Sequence, residues 1–329
     1  MKKKMAIFIA NELKLDFNKQ FETLVDMGFE ISHIPLGHTN DATIIAQKAP
    51  GFHCAVVGRE NWNRHALEAV KDSMEFIARF GAGFDTVDIN AATEFGIAVT
   101  NAPGMNARAV AEQALSLMLD AIRKTSLYDR AVRAGEWKAT LSLSLEGVVG
   151  LLGFGAIARE VAKLLQPFPV KILAYDVVQN HEAAKALNVE YTSLDELVSR
   201  SNIISTHLPY NSETHHIVNK EFIAKLPDKA VFINTSRGPV VDENALYEGL
   251  ASGKLWAVGL DVLEKEPVDP NSPLLKLPNV VLTPHASAVS VIGVRDVFEG
   301  LGKAIVDFYT GKPVKSILNP DYINHIKNK

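Results

Sequence analysis

A glycine-rich turn between an apolar run and an amphipathic stretch constrains the fold of this chain more than any other feature. Residues 148–165 read VVGLLGFGAIAREVAKLL, so Gly153, Gly155 and Ala158 match the spacing G-x-G-x-x-G/A. The match is informative because it follows a predicted strand and opens a predicted helix. Gly153 permits a tight turn, Gly155 lets the backbone approach a diphosphate, and Ala158 keeps the helix close to the sheet. The stretch therefore predicts a dinucleotide bound at the amino terminus of a helix.

Strand-like and helix-like segments alternate on both sides of this turn. In the first hundred residues, apolar runs such as AIFIA and CAVVG are separated by helix-like stretches, and a second alternating block extends from Val148 to His285. This alternation predicts parallel sheets with helices on both faces. In the second block we predict six strands, VVGLLGFG, VKILAYD, NIISTHL, AVFINTS, LWAVGLDV and VVLTPH. We expect an α/β fold of two Rossmann-like, doubly wound parallel-sheet domains.

Between the two blocks, a long apolar helical pattern is predicted to begin after Asn106 and to stop at Gly135. The pattern is more apolar than that of a lone surface helix, so we expect it to pack between domains or subunits. The chain is expected to leave the first domain near residues 103–106 and to return to it near residues 285–288.

Composition excludes several classes of function. The chain has 329 residues, 47% of them hydrophobic, and a formal net charge of −4. A general nucleic-acid or anionic-membrane binder would need a basic face, so we expect neither partner. No apolar run is long enough to span a bilayer, and the amino-terminal segment is interpreted as a first strand and not as a signal peptide. Cys54 is the only cysteine, which fits a reducing, cytoplasmic compartment.

Residues with complementary acid–base chemistry follow the later strands. Arg237 follows VFINTS, Asp261 ends AVGLD, Glu266 comes shortly afterwards, and His285 follows VVLTP. Because the carboxyl ends of parallel strands meet at one edge of a sheet, we expect these side chains to converge. An arginine can bind a carboxylate through two parallel hydrogen bonds, and a histidine can exchange a proton near neutral pH. The set predicts interconversion of an alcohol and a ketone, with hydride passing to or from a nicotinamide.

His207 is the one alternative to His285 among the ten histidines, because it also follows a strand. We favour a structural histidine bonded to backbone there, with its neighbours Leu208 and Pro209 forming a wall for an adenine. Glu264 and Asp269 are interpreted as solvated loop charges. We expect no metal site.

Asp176 ends KILAYD, the strand that follows the glycine turn and its helix. A carboxylate at this position can accept from both ribose hydroxyls of an adenosine and repels a 2′-phosphate. The sequence therefore predicts NAD in preference to NADP.

Five stretches together resemble one known family. The chain is similar along essentially its whole length to the D-isomer-specific 2-hydroxyacid dehydrogenases, through GAGFDTVDINAATEFGIAVTNAPGMNARAVAEQA, GLLGFGAIA, INTSRGPVVDENAL, GLDVLEKEP and LTPH. The resemblance implies an NAD(P)-dependent oxidoreductase with a cleft between two domains. It implies a discontinuous, flavodoxin-like substrate-binding domain, residues 1–104 and 286–329, and an NAD-binding Rossmann domain, residues 105–285. It also implies a homodimer formed through the helix after Asn106 and the arm that follows.

The resemblance also implies roles for single residues. Arg237, Glu266 and His285 match the family's catalytic arginine, glutamate and histidine. Backbone N–H groups near Ala82 and Gly83 are expected to bind the substrate. The residues expected to contact the cofactor are Gly153, Gly155, Ala156, Ile157, Asp176, Leu208, Pro209, Thr235 and Asp261.

The substrate depends on arginines that the sequence places less firmly. If Arg59, Arg79 or Arg108 lines the pocket, a phosphorylated substrate is favoured, and the NxR pattern at 106–108 resembles that of phosphoglycerate dehydrogenases. We therefore expect 3-phosphoglycerate and phosphohydroxypyruvate, in a short form without a carboxy-terminal regulatory domain. Glyoxylate or hydroxypyruvate remains the alternative within the family. An NAD-sensing corepressor that binds without turnover is the alternative of another class.

Overall fold

The computed structural model describes residues 2–9, 15–36 and 41–326. The strands are β1 Lys4–Ile7, β2 Glu30–His33, β3 Cys54–Val57, β4 Phe76–Arg79, β5 Ala98–Thr100, β6 Gly147–Leu152, β7 Val170–Tyr175, β8 Val189–Tyr191, β9 Ile203–Thr206, β10 Ala230–Asn234, β11 Leu255–Leu260 and β12 Val280–Leu282. The α-helices are α1 Phe17–Gln20, α2 Glu22–Asp26, α3 Ala42–Lys48, α4 Arg64–Val70, α5 Ile89–Glu94, α6 Ala107–Arg123, α7 Thr125–Arg133, α8 Ala156–Leu165, α9 His181–Ala186, α10 Leu194–Arg200, α11 Lys220–Lys225, α12 Glu243–Ala251 and α13 Val291–Tyr309.

The chain divides into two compact units. One consists of Met1–Asn106 together with Val291–Lys329, and the other is Ala107–Ser290. These divisions lie within a few residues of the boundaries expected from the sequence.

In the first unit, the described residues form a sheet of five parallel strands in the order β2-β1-β3-β4-β5. This is the flavodoxin-like order. Met5 and Val56 face one side with Phe298 of α13, whereas Ala6 and Val57 face the other side. Both faces of the sheet are covered, which explains why its strands lack a polar alternation.

In the second unit, seven parallel strands of the described residues follow the order β12-β11-β10-β9-β6-β7-β8. Six of them match the six predicted strands. The seventh, β8 at Val189–Tyr191, was not predicted because the charged Glu190 lies at its centre, whereas the equally short β12 is wholly apolar. A short, charged strand is typical of a sheet edge, where it carries little hydrophobic signal.

The prediction of one long helix after Asn106 is wrong in one respect: the helix breaks at Lys124. This residue has a φ of 61°, in the left-handed region, and separates α6 from α7. Asp120 stabilises the break, because its Oδ1 accepts from the N–H of Ser126 at 2.8 Å. The α6 helix has a buried apolar face within the second unit, whereas α7 has no buried residue.

Most helices begin with a side chain that satisfies their first free N–H groups, as expected for Asp, Asn and Ser at this position. These residues are Asp16, Asp41, Asn63, Asp88, Asn180, Ser193, Asn219 and Asp242. Helix α8 differs: it begins after Gly155, which provides no such side chain. Its first N–H groups are therefore available for another acceptor.

Candidate active site

Apart from Arg108, the sequence-predicted site residues of the second unit lie at one edge of its sheet. Because all seven strands are parallel, their carboxyl ends share this edge. In open α/β sheets, ligands bind outside these strand ends.

The glycine turn has the geometry expected of a diphosphate cradle. Gly153 has a φ of 92°, and a Cβ there would lie 3.1 Å from the backbone of His207. A Cβ on Gly155 would meet nothing within 4 Å. The space above Gly155 is thus open, and it borders the uncapped start of α8 at Ala156 and Ile157. A helix terminus of this kind favours a negatively charged ligand.

Asp176 is fixed beside this turn by backbone hydrogen bonds. Its Oδ2 accepts from the N–H of Phe154 at 2.7 Å, and its Oδ1 accepts from the N–H of Val178 at 3.0 Å. A carboxylate has about four lone-pair positions, so further acceptor positions remain for a pair of hydroxyl groups. The two residues that follow, Val177 and Val178, are exposed. The residues around the carboxylate therefore fit an adenosine ribose.

Buried polar atoms without a partner are concentrated next to the glycine turn. Within the described residues these include Ser205 Oγ, Thr206 Oγ1, Thr235 Oγ1 and both ring nitrogens of His207. Native proteins satisfy nearly all such atoms, so a group of them at one sheet edge indicates a place for a polar ligand. The orphaned atoms, the open space at Gly155 and the uncapped helix together fit a bound dinucleotide.

We expected the ring of His207 to bond to backbone, and that prediction is wrong for the described residues. Its ring nitrogens are buried, although part of the residue is exposed, and no group in the described parts of the chain bonds to them. Burial lowers the pKa of His207 to about 3. The imidazole is therefore neutral near pH 7 and offers one donor and one acceptor. Its neighbours Leu208 and Pro209 are half-buried and exposed, respectively.

Arg237 is held at the end of β10 by its own neighbours. Asn234 Oδ1 accepts from Ser236, and Asn234 Nδ2 donates to the carbonyl of Arg237 at 3.0 Å. The guanidinium donates to the carbonyl of Ser236 at 2.8 Å. Gly238 then passes so close to the next loop that a Cβ would lie 1.9 Å from the carbonyl oxygen of Leu263. The backbone on both sides of Arg237 is thereby fixed.

His285 and Glu266 form a direct pair. His285 Nδ1 lies 2.7 Å from Glu266 Oε2, and the other carboxylate oxygen accepts from the N–H of Leu263 at 3.2 Å. The side chains are 26% and 32% exposed, so the pair is accessible to a small ligand. No group in the described residues bonds His285 Nε2. A carboxylate on Nδ1 fixes the ring orientation and stabilises the imidazolium, which leaves Nε2 for proton exchange.

Asp261 holds the loop that carries His285. The Asp261 carboxylate is buried and accepts four hydrogen bonds: Oδ1 from Thr283 Oγ1 at 2.5 Å and Ala286 N at 2.8 Å, and Oδ2 from Ser287 N at 3.0 Å and Ser287 Oγ at 2.5 Å. These donors fill its four lone-pair positions. The contact between Asp261 and the cofactor stays a prediction, and the observed bonds serve the His285 loop.

Glu264 is exposed, as the sequence suggested, but it also has contacts that the sequence did not predict. Its carboxylate accepts from the N–H of Glu243 at 2.9 Å and lies 3.1 Å from His216 Nε2. Both partners are distant in sequence, so no local pattern indicates these contacts.

The first unit carries the remaining predicted residues at the carboxyl ends of β3 and β4. Arg59 is half-buried and Arg79 is buried. The guanidinium of Arg79 lies over Gly81, with Nη1 2.6 Å from the position of a Cβ there. The loop at Ala82 and Gly83 is fixed because Asn101 Nδ2 donates to the carbonyl of Ala82 at 2.6 Å.

The sequence analysis missed Glu60, a buried carboxyl next to Arg59. Glu60 Oε2 accepts from the N–H of Gly58 at 2.6 Å. Burial raises the pKa of Glu60 to about 7, against the opposing effects of its backbone hydrogen bonds and of Arg79 and Arg59. An acidic residue directly after a fully apolar strand was the available signal.

Arg108 belongs to the second unit and lies on the exposed side of α6. Its Nε lies 2.6 Å from Glu112 Oε1, one helical turn further on, and both side chains are about half exposed. This is an ordinary surface ion pair of the i,i+4 type.

The described residues contain neither a candidate metal site nor a candidate membrane-spanning helix. No group of three or more His, Cys, Asp or Glu side chains there could hold a metal ion. None of the helices in the described segments is long and apolar enough to cross a membrane.

Comparisons with known proteins agree with this geometry. Residues 115–287 match the family model described as the NAD-binding domain of D-isomer specific 2-hydroxyacid dehydrogenase. The chain is 38% identical over 279 residues to D-3-phosphoglycerate dehydrogenase of Archaeoglobus fulgidus, which covers 84% of this chain but only 53% of that protein. It is 43% identical over 249 residues to hydroxypyruvate reductase of Thermotoga maritima, covering 72% of this chain and 80% of the relative.

Among solved structures, the fold is similar to that of a glyoxylate reductase from Paecilomyes thermophila. The TM-score is 0.83 at 29% identity, and the match covers 97% of this chain and 99% of the other. The chain belongs to the D-isomer-specific 2-hydroxyacid dehydrogenase family, whose members are NAD-dependent oxidoreductases that act on the CH–OH group of their substrates.

Proposed function

We propose that this protein reduces a small, unphosphorylated 2-oxo acid, glyoxylate or hydroxypyruvate, to the corresponding 2-hydroxy acid with NADH. The observation that carries the proposal is the pair between His285 Nδ1 and Glu266 Oε2, 2.7 Å apart, at the sheet edge that also holds the glycine turn. A protein that only senses NAD needs the turn but has no use for a paired histidine with Nε2 available.

In the proposed mechanism, Arg237 binds the substrate carboxylate through its guanidinium fork. NADH, when bound at the glycine turn, supplies the hydride that reduces the substrate carbonyl carbon. His285 Nε2 donates a proton to the carbonyl oxygen as negative charge develops there. Glu266 stabilises the imidazolium before the transfer and keeps the ring in one orientation. Asp261, through Thr283, Ala286 and Ser287, keeps the histidine loop in place.

Preference for an unphosphorylated acid rests on the surroundings of the three arginines. Arg108 is engaged by Glu112 on an exposed helix face. Glu60 is a buried carboxyl close enough to Arg79 and Arg59 to feel their charge, which reduces the attraction of this loop for a phosphate dianion. The Thermotoga maritima relative is named hydroxypyruvate reductase. Phosphohydroxypyruvate remains the second candidate, favoured by Arg59 and Arg79 and by the name of the Archaeoglobus fulgidus relative.

NAD in preference to NADP is part of the proposal. Asp176 is fixed by two backbone N–H groups beside the turn, and a carboxylate there opposes a 2′-phosphate. The adjacent Val177 and Val178 provide no positive charge to compensate.

We also propose a homodimer in the cytoplasm. The arm at residues 125–141 exposes large apolar side chains, with Trp137 88% and Leu141 82% exposed, and α7 buries no residue. Exposed apolar groups of this size are typical of an interaction surface. The single cysteine, Cys54, is buried in β3 and cannot form an internal disulfide, which is compatible with a reducing compartment.

A panel of steady-state NADH oxidation measurements tests the proposal. The substrates are glyoxylate, hydroxypyruvate, pyruvate and phosphohydroxypyruvate, each repeated with NADPH. We expect the largest kcat/KM with glyoxylate or hydroxypyruvate and NADH. A larger value with phosphohydroxypyruvate would overturn the substrate assignment, and no turnover with any of the four would favour the NAD-sensing alternative.

A further inference from the structure

The loop that carries Glu266 is joined to the start of α12 by two glutamates, each of which donates its backbone N–H to the carboxylate of the other. The N–H of Glu243 donates to Glu264 Oε1 at 2.9 Å, and the N–H of Glu264 donates to Glu243 Oε1 at 2.6 Å. We refer to these two residues, together with His216, as the clasp. The two bonds join segments that lie 21 residues apart in the sequence.

Each half of the clasp satisfies a backbone group that needs a partner. Glu243 is the first residue of α12, and the side chain of its N-cap, Asp242, accepts from Asn244 and Ala245. The N–H of Glu243 is not reached by that cap, and the Glu264 carboxylate satisfies it. A carboxylate at a helix amino terminus is also favoured by the helix dipole.

A third segment joins the clasp through His216. Its Nε2 lies 3.1 Å from Glu264 Oε2, and its backbone N–H donates to the carbonyl of Pro239 at 2.9 Å. Pro239 belongs to the loop that begins at Arg237. His216 therefore contacts both the loop of Arg237 and the loop of Glu266.

The contact at Gly238 completes the junction. The backbone of Gly238 lies against Leu263, with no room for a Cβ. Leu263 in turn donates its N–H to Glu266. The chain on either side of the Glu266 carboxylate is thus tied to the chain that follows Arg237.

We propose that Glu264 is a positioning residue, which with Glu243 and His216 sets the placement of Glu266 relative to Arg237. This inference rests on the proposed function, because that function assigns Arg237 and Glu266 to the same reaction. The side chains of Glu264 and His216 are about one-third exposed, and the clasp acts on Glu266 through the backbone of Gly238 and Leu263. Burial raises the pKa of Glu243, and the nearby Glu264 carboxylate adds to this rise.

The test compares Glu264→Ala with Glu264→Gln and with a matched control, Glu248→Ala. Glu248 also lies on α12 and is paired with Lys220 at 2.8 Å, but it is remote from the clasp contacts. A glutamine at 264 retains an oxygen that accepts from Glu243. We expect Glu264→Ala to lower kcat about tenfold with the KM for NADH changed less than about twofold, because misplacement of a reacting group acts on the chemical step. We expect Glu264→Gln to recover most of kcat and Glu248→Ala to match the wild type.

Hydrogen exchange of residues 261–267 provides a readout that does not need turnover. We expect faster exchange of this segment in Glu264→Ala and not in Glu248→Ala, because the Glu264 side chain no longer ties the segment to the N–H of Glu243, and the bonds from the N–H groups of Leu263 and Glu264 to Glu266 and Glu243 then open more often. Unchanged exchange together with unchanged kcat in Glu264→Ala would overturn the clasp. A lowered melting temperature with unchanged kcat would reduce it to a purely structural contact. A wild-type protein without turnover, but with the expected difference in exchange, would overturn the proposed function and leave the fastening of the loop in place.

Discussion

At the scale of single residues, three buried or half-buried carboxylates have three different tasks. Asp261 accepts four hydrogen bonds from the loop of His285, Glu266 pairs with His285 itself, and Glu60 lies buried in the other unit. The sequence alone cannot separate these tasks, because the donors to Asp261 and the histidine that pairs with Glu266 follow a different strand, and the burial of Glu60 depends on the folded sheet. Each task predicts a different consequence of removing the charge.

Replacement of Asp261 distinguishes a positioning role from a cofactor contact. Asp261→Asn places an NH₂ group against the N–H of either Ala286 or Ser287, so the His285 loop loses part of its support. We expect kcat to fall about tenfold or more, while the Kd for NADH, measured by fluorescence quenching, changes less than about threefold. A rise in the Kd that accounts for the whole loss would restore the direct contact with the cofactor.

Glu60 predicts a pH dependence of stability. Its pKa is raised to about 7 in the folded protein, from 4.5 for a solvated glutamate. Between these two pH values the folded state retains a proton that the unfolded state releases. The stability that Glu60 contributes is therefore fully present below the pKa of the unfolded state and is lost as the pH rises through about 7. The loss amounts to at most about 3 kcal/mol.

Urea unfolding of Glu60→Gln and wild type at about pH 5 and about pH 8 measures this contribution. We expect the difference in the free energy of unfolding, variant minus wild type, to be more favourable to the variant at the higher pH than at the lower pH. The reason is that the buried amide stays neutral, whereas the carboxyl of the wild type ionises. The exposed Glu68, changed to Gln, is the control. An equal difference between Glu60→Gln and wild type at both pH values would contradict the assignment.

His207 predicts a defect in cofactor binding. Its ring nitrogens are buried beside the glycine turn and no group in the described residues bonds to them, so we expect a bound dinucleotide to provide their partner. We expect His207→Phe to weaken NADH binding about tenfold, as fluorescence titration would measure, because a hydrogen bond in a buried site is lost. His181→Phe, at the exposed start of α9, is the control. Unchanged affinity in His207→Phe would make the histidine structural.

At the scale of elements, two glycines in neighbouring loops have opposite surroundings. A Cβ on Gly238 would lie 1.9 Å from the carbonyl oxygen of Leu263, whereas a Cβ on Gly155 would meet nothing within 4 Å. Gly238 is required because the neighbouring loop leaves no room for a Cβ, whereas Gly155 is expected to leave room for the diphosphate of the proposed cofactor.

The two alanine variants therefore separate stability from binding. We expect Gly238→Ala to lower the free energy of unfolding by about 2 kcal/mol or more, because the backbone of one loop must shift. We expect Gly155→Ala to leave the stability within about 0.5 kcal/mol and to weaken NADH binding, because the added methyl group occupies the space of the diphosphate. Thermal or urea unfolding and NADH titration of both variants check this. If both variants bind NADH as tightly as the wild type, the diphosphate does not bind at the glycine turn.

The sequence predicted the elements whose signals are local. The glycine turn, six of the seven strands of the second sheet and the fold class follow from short-range patterns and are found as expected. Strand β8 and the helix break at Lys124 were missed because a short strand with a charged centre and a single left-handed residue leave no periodic trace. The bonds of Glu264 and the orphaned nitrogens of His207 were missed because they depend on groups brought together only by the folded sheet.

At the scale of the whole molecule, the exposed arm at residues 125–141 predicts self-association. Trp137→Ser removes the largest exposed apolar side chain of the arm. We expect light scattering to give a dimer for the wild type and a larger monomer fraction for the variant, because apolar area buried at the interface is lost. The exposed Val291, changed to Ser, is the control outside the arm. A monomeric wild type would contradict the proposed homodimer.

The order of the chain also has a consequence for its synthesis. The first sheet is covered on one face by Val297, Phe298 and Leu301 of α13, which follow the whole second unit in the chain. The second unit is continuous from Ala107 to Ser290 and can complete its core before α13 is synthesised. The strands of the first sheet are therefore made before the second unit but gain this covering helix only after it, and until then one face of the sheet requires protection from other apolar surfaces.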